Sequence, residues 1–447
     1  MTNVAMSMEF ERLSTTSLNI ESEAILQAVE LSRQIPDESR QWQTYLNGLA
    51  LFTLKTWLEE RDAHLTVSWQ ESTIAKPELA NILPVVANLK VGEFNICLIT
   101  LDSIFDEQVP LSRIVVDLPE FVPHFYVLVE VLEEEECGIV RGVISYQQFR
   151  ENLTSSQIKI QADWTYLIPL DWFEKDPNNL LLYLRVLEPE AIPLPIASAN
   201  RQQQLAAIEN ELGRLLPQLQ SPETELWQVL SWEQGIAVVT SPDLLDWIYK
   251  LQTNNLQTTN LASLQTYLLD CIRLITQPAI NLGRWLWNEL DEIGEALSWE
   301  LLSLTPAREF RSPAAEFAVI KSQLQNQGIE IPLIGRCGYH NFNLAGNQLR
   351  IYAVAWNSST ENDPNLWSLL LILGAPAPNT LPHNLQFRVS DKTGILTEQR
   401  VNPQQVNSYL FAAVAGNWDE KFIATVSVAD GVEVTLPPFA FDMRQGS

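Results

Sequence analysis

The sequence predicts an α+β multidomain protein: N-terminal helices with a small antiparallel β-sheet or barrel, a helical middle region, and a C-terminal antiparallel β-sandwich. Three observations carry this reading. Helical apolar spacing marks residues 20–61 and returns between residues 201 and 302. Short β-branched runs broken by polar or Gly/Pro residues fill residues 64–175 and reappear beyond residue 313. The three-proline stretch LEPEAIPLPIASAN, residues 187–200, reads as a linker. The implied domains are residues 1–190, 191–312 and 313–447.

The first helix is expected in IESEAILQAVELSRQ and the second in PDESRQWQTYLNGLALFTLKTWLEERD, with Asp37 and Ser39 as candidate caps after Pro36. In the second, Trp42, Tyr45, Leu46, Leu49, Phe52 and Trp57 share one face, which reads as core. LTVSW, ILPVVANLKV, FNICLITL, SRIVVDL, HFYVLVEVL and GIVRGVIS then read as strands, continued by DWTYLIPLDWF. An SH3-like barrel is one topology that would hold them. The run Glu133–Glu136 falls between two strands and reads as a solvated hairpin tip.

The middle region offers RQQQLAAIENELGRLLPQL, TELWQVLSWEQGIAVV, SPDLLDWIYKLQ with Ser241 as N-cap and Pro242 at N1, and LASLQTYLLDCIRLITQ. The C-terminal strands are expected in IEIPLIG, NQLRIYAVAW, LWSLLLILG, NLQFRVS, ILTEQRV, NSYLFAAVAG, KFIATVSVA and VEVTLPPFAF. Turn signals at Asp391-Lys392-Thr393-Gly394 and Asp430-Gly431 support hairpins, and the even spacing argues a sandwich.

Acidic residues number 55 against 28 Lys and Arg, a formal net charge of −27. No three basic residues stand together, so the chain lacks the footprint that phosphate backbones or anionic lipid require. A basic protein partner suits such a charge far better. Cys97, Cys137, Cys271 and Cys337 are scattered and read as reduced, buried thiols. The N-terminus lacks a cationic start and an apolar run, and the longest apolar stretch is shorter than a membrane span, so a soluble cytoplasmic protein is expected.

Chemistry is poorly signalled. The four histidines are His64, His124, His340 and His383, and no nucleophile elbow, zinc-protease helix, Walker loop or dinucleotide fingerprint occurs. Cys337 and His340 stand three residues apart and could supply two metal ligands or a nucleophile with its base. A zinc site would need two further ligands, and the bland reading of a loop prevails. No catalytic, cofactor-binding or metal residue is therefore assigned. Trp356, Trp367 and Trp418 could form a stacking platform for carbohydrate, but their strand positions favour core packing.

NLGRWLWNELDEIGEALSWELL, residues 281–302, reads as one amphipathic helix of about six turns. Leu282, Leu286, Leu290, Ile293, Leu297, Leu301 and Leu304 fall in one stripe, widened by Trp285 and Trp287. Trp299 and Leu302 project from the far side, so they are the candidate partner-interaction residues. The acidic polar face argues against membrane insertion.

The stretches WQTYLNGLALFTLKTWLEE, WTYLIPLDWFEKDPNNLLLYLRVLEP and LPHNLQFRVSDKTGILTEQ resemble a family of cyanobacterial proteins catalogued as domain of unknown function 1822. The likeness covers nearly the whole chain, with gaps in the helical middle, and WTYLIPLDWF is its most specific piece. The family brings no catalytic residues to carry over. Its genes often stand near those of sigma factors and of caspase-like proteins with repeat domains, which implies a regulatory or adaptor role. The expected function is thus a non-catalytic cytoplasmic protein binding a basic partner such as a sigma factor or signalling protein. The alternatives are an enzyme with an unrecognised site at a domain interface and a ligand- or carbohydrate-binding β-sandwich.

Overall fold

The computed structural model describes residues 17–83, 86–101, 107–253, 255–256, 261–302, 312–361, 363–401, 409–428 and 431–443. The chain forms two compact units, residues 1–256 and 257–447. The helical stretch expected in the middle is shared out: its helices up to residue 252 fall in the first unit, and LASLQTYLLDCIRLITQ falls in the second.

The first unit opens with strand β1 (Leu18–Asn19) and helices α1 (Ser22–Ser32) and α2 (Glu38–Glu59). Asp37 starts α2, its carboxylate accepting the Arg40 N–H at 2.9 Å. Ser39 is not a cap but donates its hydroxyl to Asp37. The two helices cross closely because Gly48 faces Ala28; a Cβ there would lie 2.8 Å from the alanine's. Then come β2 (Val67–Ser68), β3 (Val86–Val91), β4 (Phe94–Leu101), β5 (Gln108–Ser112), β6 (Phe125–Leu132), β7 (Cys137–Ser145), helix α3 (Tyr146–Ser155) and β8 (Thr165–Pro169).

The six-stranded sheet runs β1-β7-β6-β4-β3-β2, antiparallel except for the parallel pair β4 and β6. Every residue of β6 is buried. Phe125, Val127, Val129 and Val131 pack with Leu49, Phe52 and Trp57 of α2. Tyr126 and Leu128 point the other way, toward Phe149 and the β5–β8 ribbon. Burial on both faces makes the strand an apolar run broken only by Glu130, which pairs with Arg141 of β7. SRIVVDL, expected as a strand, is instead a helical turn at Ile114–Asp117 with Ile114, Val115 and Val116 all buried. A short apolar run cannot be told from a buried helical segment by periodicity. The tip Glu133–Glu136 is as expected a turn, closed by Glu136 at φ 49°.

Helix α4 (Asn178–Val186) lies before the proline-rich stretch, and α5 (Arg201–Ala207), α6 (Glu209–Leu215), α7 (Trp232–Val239) and α8 (Pro242–Gln252) follow it. Ser241 occupies the N-cap of α8 with Pro242 at N1, although its hydroxyl makes no capping bond.

The second unit begins with helix α9 (Leu261–Thr276), then β9 (Ile280–Asn281), a 3₁₀ segment at Leu282–Trp287, helix α10 (Glu292–Ala296), β10 (Glu300–Leu301) and helix α11 (Pro313–Asn326). Strands β11 (Arg336–Leu344), β12 (Asn347–Asn357), β13 (Leu366–Gly374), β14 (Gln386–Asp391), β15 (Gly394–Arg400), β16 (Tyr409–Asn417), β17 (Ile423–Ser427), β18 (Glu433–Thr435) and β19 (Phe439–Ala440) complete it. Two antiparallel sheets, β10-β11-β12-β13-β16 and β15-β14-β17-β18, share one core. Leu349, Ile351, Leu369 and Leu371 meet Phe387, Val389, Ala424 and Val426 there. On the outer face of the larger sheet, Tyr352 and Val354 pack under Phe317 and Leu324 of α11.

IEIPLIG, expected as a strand, carries none; Pro332 removes a ladder donor, and Leu333 and Ile334 are exposed. The strand follows it, at β11. Helix α11 falls at the start of the region read as β, ahead of the first strand expected there; Ser312 caps it and Pro313 occupies N1. The Asp391 hairpin is as expected, its carboxylate accepting the Thr393 and Gly394 N–H groups. Of the second turn signal, Asp430 lies outside the described residues and Gly431 has φ 77°.

The segment 281–302 is not one helix. Asn288 at φ 57° and Ser298 at φ 58° turn the chain twice. Asp291 braces the first bend, accepting the Asn281 N–H at 2.7 Å and the Gly294 N–H at 2.8 Å. Gly283 is required where a Cβ would lie 2.3 Å from the Asp442 carbonyl oxygen. Leu286, Leu290, Ile293, Leu297 and Leu301 nevertheless all pack on the sandwich core, while Leu304 lies outside the described residues. Among the described residues no helix is long and apolar enough to cross a membrane.

Candidate functional site

In the first unit, the side chain that departs from the expected apolar face of α2 is Trp42. It sits in the first turns of the helix and is 53% exposed, while Leu46, Leu49, Phe52 and Trp57 on the same helix are buried. Its ring lies 5.4 Å from that of Tyr45. The Tyr45 hydroxyl donates to Glu133 at 3.4 Å, tying the aromatic pair to the β6–β7 turn. Glu134, Glu135 and Glu136 in that turn are exposed. Burial, followed by the charges of Glu133 and Glu136, pushes the Tyr45 phenol above its ordinary value. Helix α2 and the hairpin thus present an indole, a phenol and four carboxylates to solvent. Such a surface can take a lysine or arginine on the indole face and pair its neighbours with carboxylates. Periodicity puts Trp42 in the core stripe, and nothing in the spacing separates it from Leu46 and Leu49.

Trp299 and Leu302 are not brought together. Trp299 is only 2% exposed, so a partner would find almost none of its surface. Its ring packs on Trp285 at 5.4 Å, His340 at 5.6 Å and Phe439 at 5.8 Å. Leu302 packs against the other cluster, with Phe317 and Tyr339, and its N–H donates to the Cys337 carbonyl at 2.8 Å. The helical projection that paired them fails because Ser298 turns the backbone between the helix and β10. The ring contacts of Trp299 are thus made within its own unit.

Strand alternation also separates Cys337 from His340. Cys337 lies in the cluster under α11, and His340 faces Trp299 on the opposite side of β11. Burial pushes the Cys337 thiol well above its ordinary range and lowers the His340 imidazole. The pair therefore forms neither a nucleophile with its base nor half of a metal site. All four cysteines are buried and outside any disulfide. Among the described residues no group of three His, Cys, Asp or Glu is arranged to hold a metal. Trp367 is fully buried against Phe422 and Phe441, and Trp356 and Trp418 pack onto separate clusters, so the three form no platform.

In the second unit, α9 lays a polar stripe over the smaller sheet. Arg388 donates Nε and Nη2 to Asp270 at 3.0 and 3.2 Å, and Ser390 donates to the same carboxylate at 2.8 Å. Arg273 bridges to Thr435 at 2.9 Å and to Glu433 at 3.5 Å. Asp270 is fully buried and Arg388 nearly so. A paired, hydrogen-bonded charge is the form in which a buried ion is tolerated.

These features define an α+β protein of two compact units, the first built on a mixed sheet and the second on two antiparallel sheets with flanking helices. The chain belongs to the family described as Protein of unknown function (DUF1822), whose model matches residues 18–435. No curated protein and no solved structure matches the chain.

Proposed function

We propose that the protein is a non-catalytic cytoplasmic regulatory protein that binds a basic protein partner through the surface formed by Trp42, Tyr45 and the Glu133–Glu136 turn. The observation that carries this reading is the exposed indole of Trp42 set beside a tyrosine that is hydrogen-bonded to an acidic hairpin. Exposed Trp and Tyr are the side chains most often found at the energetic centre of an interface. A ring of carboxylates around them selects lysine and arginine and speeds encounter, and the overall charge of −27 acts in the same direction. A sigma factor or a signalling protein with a basic helical surface has the matching chemistry.

The test is affinity purification of the full chain from its native host at low and high salt. The expected result is a basic protein retained at low salt and released as salt rises, because exposed charges are screened within about 8–10 Å at physiological ionic strength. Retention of the same proteins by a variant with Trp42→Ala and Glu133–Glu136 all changed to Gln would overturn the proposed surface. Recovery of no protein above background would overturn the partner.

A further inference from the structure

Beside helix α9 the outer face of the smaller sheet leaves an open groove of about 800 Å³. Thr266, Asn384, Gln386, Arg388, Arg400 and Ser427 line it. Among the described residues the side chains of Asn384, Gln386 and Ser427 find no hydrogen-bonding partner, so their amides and hydroxyl are available to a ligand. A concave surface with several convergent, unengaged polar groups is the form that small-molecule sites take.

Arg388 gives the groove its chemistry. The side chain is 5% exposed and held rigidly, its Nε–Nη2 edge spent on Asp270. A guanidinium has a second, end-on edge formed by Nη1 and Nη2, and that edge matches a carboxylate or phosphate in the same forked way. No described residue occupies it. Arg400 adds a second cation, tied among the described residues only to the exposed Glu398 at 3.1 Å. Among the described residues the one carboxylate on the lining, Glu433, is balanced by Arg273 at 3.5 Å. In a chain of net charge −27, the groove therefore turns donors outward and keeps its acids paired.

We propose that this groove binds a small, hydroxyl-rich molecule carrying an oxyanion, a carboxylate or a phosphate. The end-on edge of Arg388 and the guanidinium of Arg400 take the oxyanion. Asn384, Gln386 and Ser427 hydrogen-bond to the hydroxyls. Asp270 is a positioning residue: it touches no ligand and fixes the plane of the Arg388 guanidinium before binding, which removes part of the ordering cost.

The experiment is calorimetric titration of the full chain with glucose 6-phosphate, glucuronate and glucose. Arg388 is left intact in the primary variants, since removing it strands Asp270 in the core. Arg400→Gln and Gln386→Ala are used instead, with thermal unfolding to show that they fold as the parent does. The expected result is saturable binding of at least one anion, weakened roughly tenfold by Arg400→Gln at unchanged melting temperature. Binding of glucose 6-phosphate alone assigns a phosphate, and binding of glucuronate alone a carboxylate. Glucose binding as tightly as either anion would overturn the oxyanion assignment. No saturable binding of any of the three at about 10 mM would overturn the site.

Discussion

Trp299 and His340 stack with ring centroids 5.6 Å apart, which fastens the twice-bent segment 281–302 to strand β11. Beside it, Trp285 packs on Trp299 and lies against Gly338, where a Cβ would come within 2.8 Å of the Trp285 ring. Trp285 thus fills a space that β11 leaves by having no side chain at that point. The bent segment is a component of the sandwich core.

Trp299→Ala should therefore destabilise the second unit, by roughly 3–5 kcal/mol for a buried tryptophan truncated to alanine. Chemical denaturation followed by fluorescence or circular dichroism measures this directly. A variant that keeps its parent's stability and loses only association with another protein would restore the partner-contact reading.

The buried pair Asp270–Arg388 makes a sharper, two-part prediction. Asp270→Ala leaves a nearly buried guanidinium without its counter-charge and should cost about 3–5 kcal/mol. The double variant Asp270→Leu with Arg388→Met should recover most of that loss, since replacing both ions with apolar groups of similar volume is often neutral. Denaturant midpoints of the two variants and the parent decide the matter. A double variant no more stable than Asp270→Ala would mean that the neighbouring Ser390 and Arg273, not the pair, dominate the cost.

How much of this was legible follows from where side-chain periodicity holds. Where one face of an element meets one core, as in β14 with Phe387 and Val389 inward and Gln386, Arg388 and Ser390 on the other face, the apolar pattern places it. It fails in three physical situations. Ile114, Val115 and Val116 are buried in succession, so helix and strand patterns coincide. Helix α11 carries its own start signal in Ser312-Pro313, but that signal was masked by the β-rich region around it. In 281–302 the helical projection assumed a straight axis, and two residues with positive φ removed it. The candidate surface is half legible: the run Glu133–Glu136 reads as a solvated turn, whereas the spacing of Trp42 reads as core. The groove on the smaller sheet could not be read at all. Its residues come from α9, β14, β15 and β17, far apart in sequence, and only the ladder brings them together.

A close approach at the start of the WTYLIPLDWF motif gives a packing prediction. Trp164 adopts φ 60°, a conformation bulky residues rarely take, and its ring lies on Gly235 of α7. A Cβ at Gly235 would lie 2.2 Å from the indole. Trp232, on the same helix, packs on Trp164 at 5.3 Å and carries Arg113 over its ring at 4.0 Å. Alanine would favour the helix by up to about 1 kcal/mol, yet overpacking costs roughly 1–3 kcal/mol. Gly235→Ala should thus be net destabilising, and Trp164→Ala should cost less in that background than in the parent. Additive effects in the double-mutant cycle would show that the two residues do not meet.

Acid sensitivity is expected from His124. Burial holds its imidazole below the ordinary 6.5. Its Nδ1 accepts the Asn95 N–H at 2.9 Å, a bond that protonation would break. On unfolding the ring recovers its ordinary pKa, so between the two values the unfolded chain binds more protons than the folded one. The stability owed to neutral His124 is full above about pH 6.5 and is lost as pH falls below it. His340, also lowered by burial, acts in the same direction in the second unit. His124→Asn keeps an acceptor for Asn95 and should flatten the fall of first-unit stability between about pH 7.5 and 5.5. Urea unfolding at several pH values tests it, and equal slopes in parent and variant would remove His124 from the account.

The exposed indole gives the last prediction. Trp42 is more than half exposed, so its truncation should change folding stability by no more than about 0.5 kcal/mol, as surface substitutions do. Binding is a different matter. If Trp42 is the centre of the partner surface, Trp42→Ala should weaken capture of a basic partner by tenfold or more, the loss expected at an interface hot spot of about 2 kcal/mol. Changing Glu134 and Glu135 to Gln should act chiefly on the association rate and its salt dependence, because rim charges steer more than they hold. The two classes of variant therefore separate kinetically. On that reading the indole would set the dissociation rate and the carboxylates the approach. Surface plasmon resonance of the captured partner against both variants reads the two rates independently. Equal effects of the two variants on both rates would mean that the surface acts only through its charge, with Trp42 an ordinary exposed side chain.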